Sequence, residues 1–146
     1  MAGRPRTSVG TVLTLVVVVG LAIDACVHFH LASSFTANRT RWLSEPELFR
    51  AEAAASLVAA VALLVRPNRY TILLAFLLAA AGTFAVVFYR YVDLGQVGPI
   101  PSMYDPYWAP PEKTLSAVGE ALAALAALAL LTMGRRGTGS AARRDG

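Results

Sequence analysis

Four separate stretches of this chain, 9–31, 48–65, 71–92 and 115–133, are each apolar enough and long enough to cross a bilayer, and no other feature narrows the possible folds as far. A helix needs about 17–25 predominantly apolar residues to span a hydrocarbon core about 30 Å thick. Inside lipid the backbone must satisfy its own hydrogen bonds, which isolated runs of this kind do only as helices. The sequence therefore predicts an all-α protein, a four-helix transmembrane bundle over residues 1–134. The basic tail over 135–146 mixes Gly, Ser, Ala and Arg, cannot build a core, and is expected to be disordered and cytoplasmic. Composition agrees: 56% of the 146 residues are hydrophobic and 15% charged, with a mean hydropathy of +0.55, values typical of a chain that lives in a bilayer.

The runs are not equivalent. The third carries no formal charge between Arg69 and Arg90. In the first, the Val, Leu, Ile and Phe residues contribute about −4 to −8 kcal/mol to insertion against about +3 for a central Asp, so it inserts despite Asp24. The second is Ala-rich, carries Arg50 and Glu52 near its start, and is expected to lean on its neighbours. Arg4 and Arg6 ahead of an apolar run, with Ile23-Asp24-Ala25-Cys26 beyond, imitate a lipoprotein signal. Asp24 is unsuited to the cleavage box, however, and the run continues to Leu31, past a short signal core. A lone cysteine excludes an internal disulfide.

Lys and Arg set the expected orientation. Arg4, Arg6, Arg66, Arg69, Arg135, Arg136, Arg143 and Arg144 fall on one side; Arg39, Arg41, Arg50, Arg90 and Lys113 fall on the other. The positive-inside rule places both termini and the 66–70 turn in the cytoplasm. The tail arginines, which also explain the pI near 9.7, read as a topology determinant or anionic-lipid contact. No aromatic residue or motif accompanies them, so no nucleic-acid partner is expected.

Threading the helices in this orientation collects the ionisable groups. Asp24, His28 and His30 fall in the outer half of helix 1, Arg50 and Glu52 near the outer start of helix 2, Tyr89, Arg90, Tyr91 and Asp93 at the outer end of helix 3, and Glu112 and Glu120 in the outer part of helix 4. Asp24 lies about 10 Å and Glu120 about 8 Å below the outer helix ends, at a rise of about 1.5 Å per residue. Residues four apart share a helix face, as do Asp24 with His28, Glu52 with Ser56, and Glu112 with Ser116 and Glu120. Cys26 and His30 form another such pair, pointing elsewhere.

The candidate polar cluster is thus Asp24, His28, Glu52, Glu120, Arg50 and Arg90. On the structural reading these groups satisfy one another: Asp24 with His28, Arg50 with Glu47, and Arg90 or Arg50 with Glu52 or Glu120, since charges in lipid are paired or neutralised. On the functional reading an intramembrane ionisable group marks a site. A metal site would use Asp24, His28, Glu52 and Glu120, carboxylates and imidazole projecting inward from facing helices, although no E-x-x-H spacing is present. A proton or small-solute path would use the same groups open to outer water. A quinone or other redox site would set His28 beside Tyr89 and Tyr91. Haem has only a lone axial histidine and no partner motif. The cofactor, if any, is not named by the sequence.

The stretch 93–111, DLGQVGPIPSMYDPYWAPP, carries five prolines with Tyr104, Tyr107 and Trp108. Proline excludes regular structure there, and Tyr and Trp favour the interface. It reads as a cap on the headgroups, or as a lid over the polar cluster or a docking face for a larger complex. In helix 4, Ala117, Ala121 and Ala124 form a small-residue stripe suited to close packing, within the bundle or in a homo-oligomer.

The end of helix 1, DACVHFHLA, followed by a polar loop and LFRAEAAASLVAAVALLVRP, resembles bacterial four-helix integral membrane proteins that are loosely DoxX-like. The resemblance covers about half of the chain and supplies no catalytic motif to carry over. It implies a multi-pass protein of the bacterial cell (inner) membrane associated with redox complexes. Nothing supports a hydrolase or transferase: no Ser-His-Asp arrangement with recognisable context, Gly-rich phosphate loop or CxxC is found. The expected role is that of an accessory or interaction protein, the alternative being metal, quinone or proton/small-solute binding or transport at the polar cluster.

Overall fold

A computed structural model describes residues 8–108 and 111–139. It is all-helical, with α1 (Ser8–Leu31), α2 (Glu45–Val65), α3 (Arg69–Tyr91) and α4 (Pro111–Gly139). Each is long and apolar enough to cross a membrane, so the chain is a multi-pass membrane protein. Large apolar side chains such as Leu57, Leu77 and Leu125 lie exposed on its outside, the arrangement that lipid rewards and water penalises.

Polar residues at the helix starts set boundaries that the apolar runs alone did not mark. The Glu47 carboxylate accepts from Ser44 N–H at 2.8 Å and Ser44 Oγ at 2.7 Å, and Pro46 sits in the first turn. Helix α2 therefore opens at Glu45, ahead of the 48 expected from hydropathy. Asn68 Oδ1 accepts from Tyr70 and Thr71 N–H at 2.8 and 3.2 Å, fixing the start of α3 directly after the Arg66-Pro67 turn. Helix α4 opens on Pro111, whose missing N–H costs nothing at a first helical position. Its backbone remains helical to Gly139, past the 133 expected, so the first part of the tail continues the helix. The remainder, 140–146, lies outside the described residues.

The helices run up and down. Helix α1 packs broadly on α2 and α4, and α4 on α3, whereas α2 and α3 meet only sparsely. A close crossing lies at Gly20 and Gly119: a Cβ on Gly20 would overlap the Gly119 carbonyl oxygen and lie 2.9 Å from Ala123 Cβ. Small residues at such a crossing let backbones touch where lipid offers no hydrophobic drive for association. The row of α4 that packs is Gly119, Ala123, Ala126 and Ala127, one step round from the stripe at Ala117, Ala121 and Ala124, which is only half-buried. Together with Val17, Leu21, Ala59, Leu63, Ala75 and Ala79 it makes a core toward the end of the bundle that bears the 66–68 turn.

At the opposite end two loops join. Asn38 Nδ2 donates to the Ser102 carbonyl at 2.7 Å and Thr40 Oγ1 to the Pro99 carbonyl at 2.7 Å. Between Val92 and Trp108 the described backbone contains an isolated bridge from Val97 to Ile100 and no helix or strand. Gly95 and Gly98 supply the positive φ that its turns require. Asp105 N–H donates to the Tyr89 carbonyl at 3.1 Å, and the Asp105 carboxylate pairs with Lys113. The loop is therefore fastened to α3, to α4 and to the 32–44 segment.

Candidate functional site

Below these loops α2 and α3 part around a cavity of about 570 Å³. Small side chains create the space: Ala51 and Ala55 on α2, Ala81, Gly82 and Ala85 on α3, and Ala117 on α4. Val27, Leu31, Leu48, Phe49 and Val86 supply further apolar wall, and Met103, Tyr107 and Trp108 reach in from the loop. A mostly apolar cavity of this size with a few convergent polar groups has the character of a small-molecule site. Ala51 and Ala81 line it and are exposed, and α2 and α3 meet only sparsely, so it is open at the edge between these two helices.

His28, Ser116 and Glu120 form its floor, and behind them lies Asp24, which is 0% exposed. Ser56 Oγ on α2 donates to Asp24 Oδ2 at 2.7 Å, and Ser116 Oγ on α4 donates to Oδ1 at 2.8 Å. His28, one turn along α1, places Nδ1 2.7 Å from Oδ1 and 3.1 Å from the Asp24 carbonyl. The ring is braced edge-on by Phe49, with centroids 5.2 Å apart. One carboxylate thus ties three helices together, and its hydrogen bonds satisfy much of the acceptor capacity that burial would otherwise leave exposed to hydrocarbon.

Glu120 completes the floor from α4. Ligating atoms of Asp24, His28 and Glu120 all lie within 4.8 Å of one another. The close crossing at Gly20 and Gly119 makes this possible, because Asp24 lies one turn beyond Gly20 on α1 and Glu120 directly follows Gly119 on α4. From α3, Gly82 leaves the room: a Cβ there would sit 2.5 Å from Glu120 Oε1. Glu120 is 2% exposed, and its Oε2 is buried without a hydrogen-bond partner. Two carboxylates held this close and away from water require a shared proton or a cation between them.

The structure places the remaining sequence candidates differently. Glu52 lines the same cavity, half-buried, without joining the tight group. Arg90 also lines it, but its guanidinium lies 5.5 Å from the Tyr91 ring centroid and 5.7 Å from that of Trp108. Its Nε is buried and unpartnered. Arg50 is exposed and borders a separate hollow with Arg39, Trp42 and Glu47. Among the described residues the ion pairs are His28 with Asp24 and Lys113 with Asp105, so neither arginine neutralises Glu52 or Glu120. Tyr89 lines the cavity, whereas Tyr91 is 71% exposed outside it. Cys26 and His30 are exposed on another face.

Three contributions were not assigned from sequence. Ser56 and Ser116 were visible only as face-mates of Glu52 and Glu120, not as donors to Asp24. Gly82 gave no signal beyond being a glycine in an apolar helix. Glu45, buried and bonded by Asn38 Nδ2, reaches the cavity wall from the first turn of α2. Searches against protein-family models, curated proteins and solved structures find no match to this chain.

Proposed function

We propose that this protein binds a small amphipathic molecule within the membrane, with an apolar body against the alanine-rich walls and a polar head at the floor formed by His28 and Glu120, which Asp24 supports from behind. The observation that carries this reading is the 570 Å³ cavity joining those walls to that floor under a fastened loop. Holding the helices together accounts for Asp24 with its serine donors, but not for Glu120, whose buried Oε2 has no partner and where leucine would stabilise insertion better. The excess of Lys and Arg at the termini and the 66–69 turn supports a bacterial cell-membrane topology with both termini cytoplasmic and the cavity toward the outer leaflet. His28 and Tyr89 both border the cavity, so a ring-bearing ligand such as a quinone suits the redox association that a DoxX-like relationship implies.

The test is photolabelling in nanodiscs with a diazirine-bearing long-chain alcohol. Adducts are expected on the cavity-lining residues Gly82, Ala85 and Val86 of the 81–86 segment and on Trp108 in the parent, and are expected to vanish from these positions in Ala85→Phe, which fills the cavity, while exposed Leu77 and Phe84 remain labelled. Equal labelling of Gly82 and Val86 in parent and variant would refute the reading.

A further inference from the structure

We infer that Asp24, His28 and Glu120 hold a divalent transition-metal ion at the floor of the cavity. The inference deepens the binding reading, since the ion would be the group that a ligand's head meets. Two carboxylates and one imidazole, drawn from two facing helices, form the mixed oxygen and nitrogen donor set of zinc, manganese and ferrous sites. Their ligating atoms already lie within 4.8 Å of one another, so modest side-chain rotation brings them to coordination distances of about 2.0–2.2 Å.

Independent of that proximity, Glu120 is 2% exposed and its Oε2 has no hydrogen-bond partner. A carboxylate oxygen this deeply buried costs several kcal/mol unless a cation or donor meets it. No basic side chain among the described residues does so, because Lys113 is engaged with Asp105 and the Arg90 guanidinium lies by aromatic rings. The two serine hydroxyls donate to Asp24, orienting the carboxylate without supplying charge, as outer hydrogen bonds do around a ligating group. Gly82 keeps the α3 side of Glu120 clear.

The experiment titrates Co²⁺ into the purified full-length chain in detergent, reading the visible absorption of the bound ion, with Zn²⁺ as competitor. One equivalent per chain that Zn²⁺ displaces is expected. Glu120→Gln and His28→Ala are expected to abolish the band, and Ser56→Ala to weaken binding about 10–100-fold. His28 is partly exposed, so its variant keeps the test informative should Glu120→Gln fold poorly. Absence of a saturable band in the parent, or Co²⁺ binding by His28→Ala equal to the parent's, overturns the inference. A band absent from a parent that is nonetheless photolabelled at the 81–86 segment would leave the cavity a ligand site and assign Asp24 and Glu120 a shared proton. Loss of that photolabelling with the band retained would instead remove the amphipathic-ligand reading and keep the metal.

Discussion

Gly82 on α3 stands where any side chain would meet the carboxylate of Glu120 on α4, with a Cβ 2.5 Å from Oε1 and 2.7 Å from Cδ. The atoms in the way belong to the end of a rotatable side chain, so Gly82→Ala is expected to turn Glu120 aside rather than separate the helices. Alanine also gains about 1 kcal/mol of helix propensity over glycine, which offsets the lost packing. The melting temperature should therefore stay close to the parent's, while the infrared carboxyl band that Glu120→Gln removes shifts position. An unshifted band would show that Glu120 does not occupy this place.

Gly20→Ala is expected to behave in the opposite way. The obstacle there is the carbonyl oxygen of Gly119, which cannot rotate out of the path. Overpacking of this kind costs about 1–3 kcal/mol. Unfolding in mixed detergent should show that loss for Gly20→Ala and a much smaller one for Gly82→Ala; equal losses would contradict the rigid crossing.

Ser56→Ala and Ser116→Ala each remove one hydroxyl donor from a fully buried carboxylate. A hydrogen bond to a charged group contributes about 1.5–3 kcal/mol, and each variant is expected to lose stability on that scale. Both act on Asp24, so the double variant should depart from additivity. Additive losses within about 0.5 kcal/mol would mean that the two serines do not share a partner.

How far this site was legible in the sequence depends on what each residue costs in lipid. Asp24 and Glu120 stood out because an acid in an apolar helix opposes insertion and needs a reason. Their serine donors did not, since a hydroxyl among alanines is cheap and gives no direction. Arg50 was grouped with Glu52 on depth alone, yet residues two apart lie about 200° round a helix and cannot share a face. That rotation takes Arg50 to the outside. The four spans were legible from hydropathy, but the starts of α2, α3 and α4 were not, because Ser44, Asn68 and Pro111 act through hydrogen bonds and backbone geometry rather than through apolarity.

The loop from α3 to α4 is expected to loosen when its anchors are cut. Lys113→Met removes the pairing with Asp105, and Asn38→Ala removes the donor to Ser102. Amide exchange at Asp105, whose N–H is bonded to the Tyr89 carbonyl, should quicken in Lys113→Met while the middle of α3 is unaffected. Unchanged exchange at Asp105 would mean that the ion pair does not hold the loop.

Topology is checked by thiol labelling in intact cells, after exposed Cys26 is replaced by alanine. A cysteine in the 93–108 loop should react with a membrane-impermeant reagent, and one after Gly134 should not. The reverse pattern would invert the assigned orientation.

The parting of α2 from α3, which leaves the cavity-lining Ala51 and Ala81 exposed, changes what a dose–response curve would measure. On the proposed reading, a solute dissolved among acyl chains would reach the floor by sideways diffusion, and the concentration it reported to the protein would be that in oil. Each added methylene, favouring the bilayer by about 0.8 kcal/mol, would raise potency referred to the aqueous phase about fourfold without a single new contact. Ranking compounds by potency would therefore rank their partition coefficients first, and only division by those coefficients would expose what Asp24, His28 and Glu120 select.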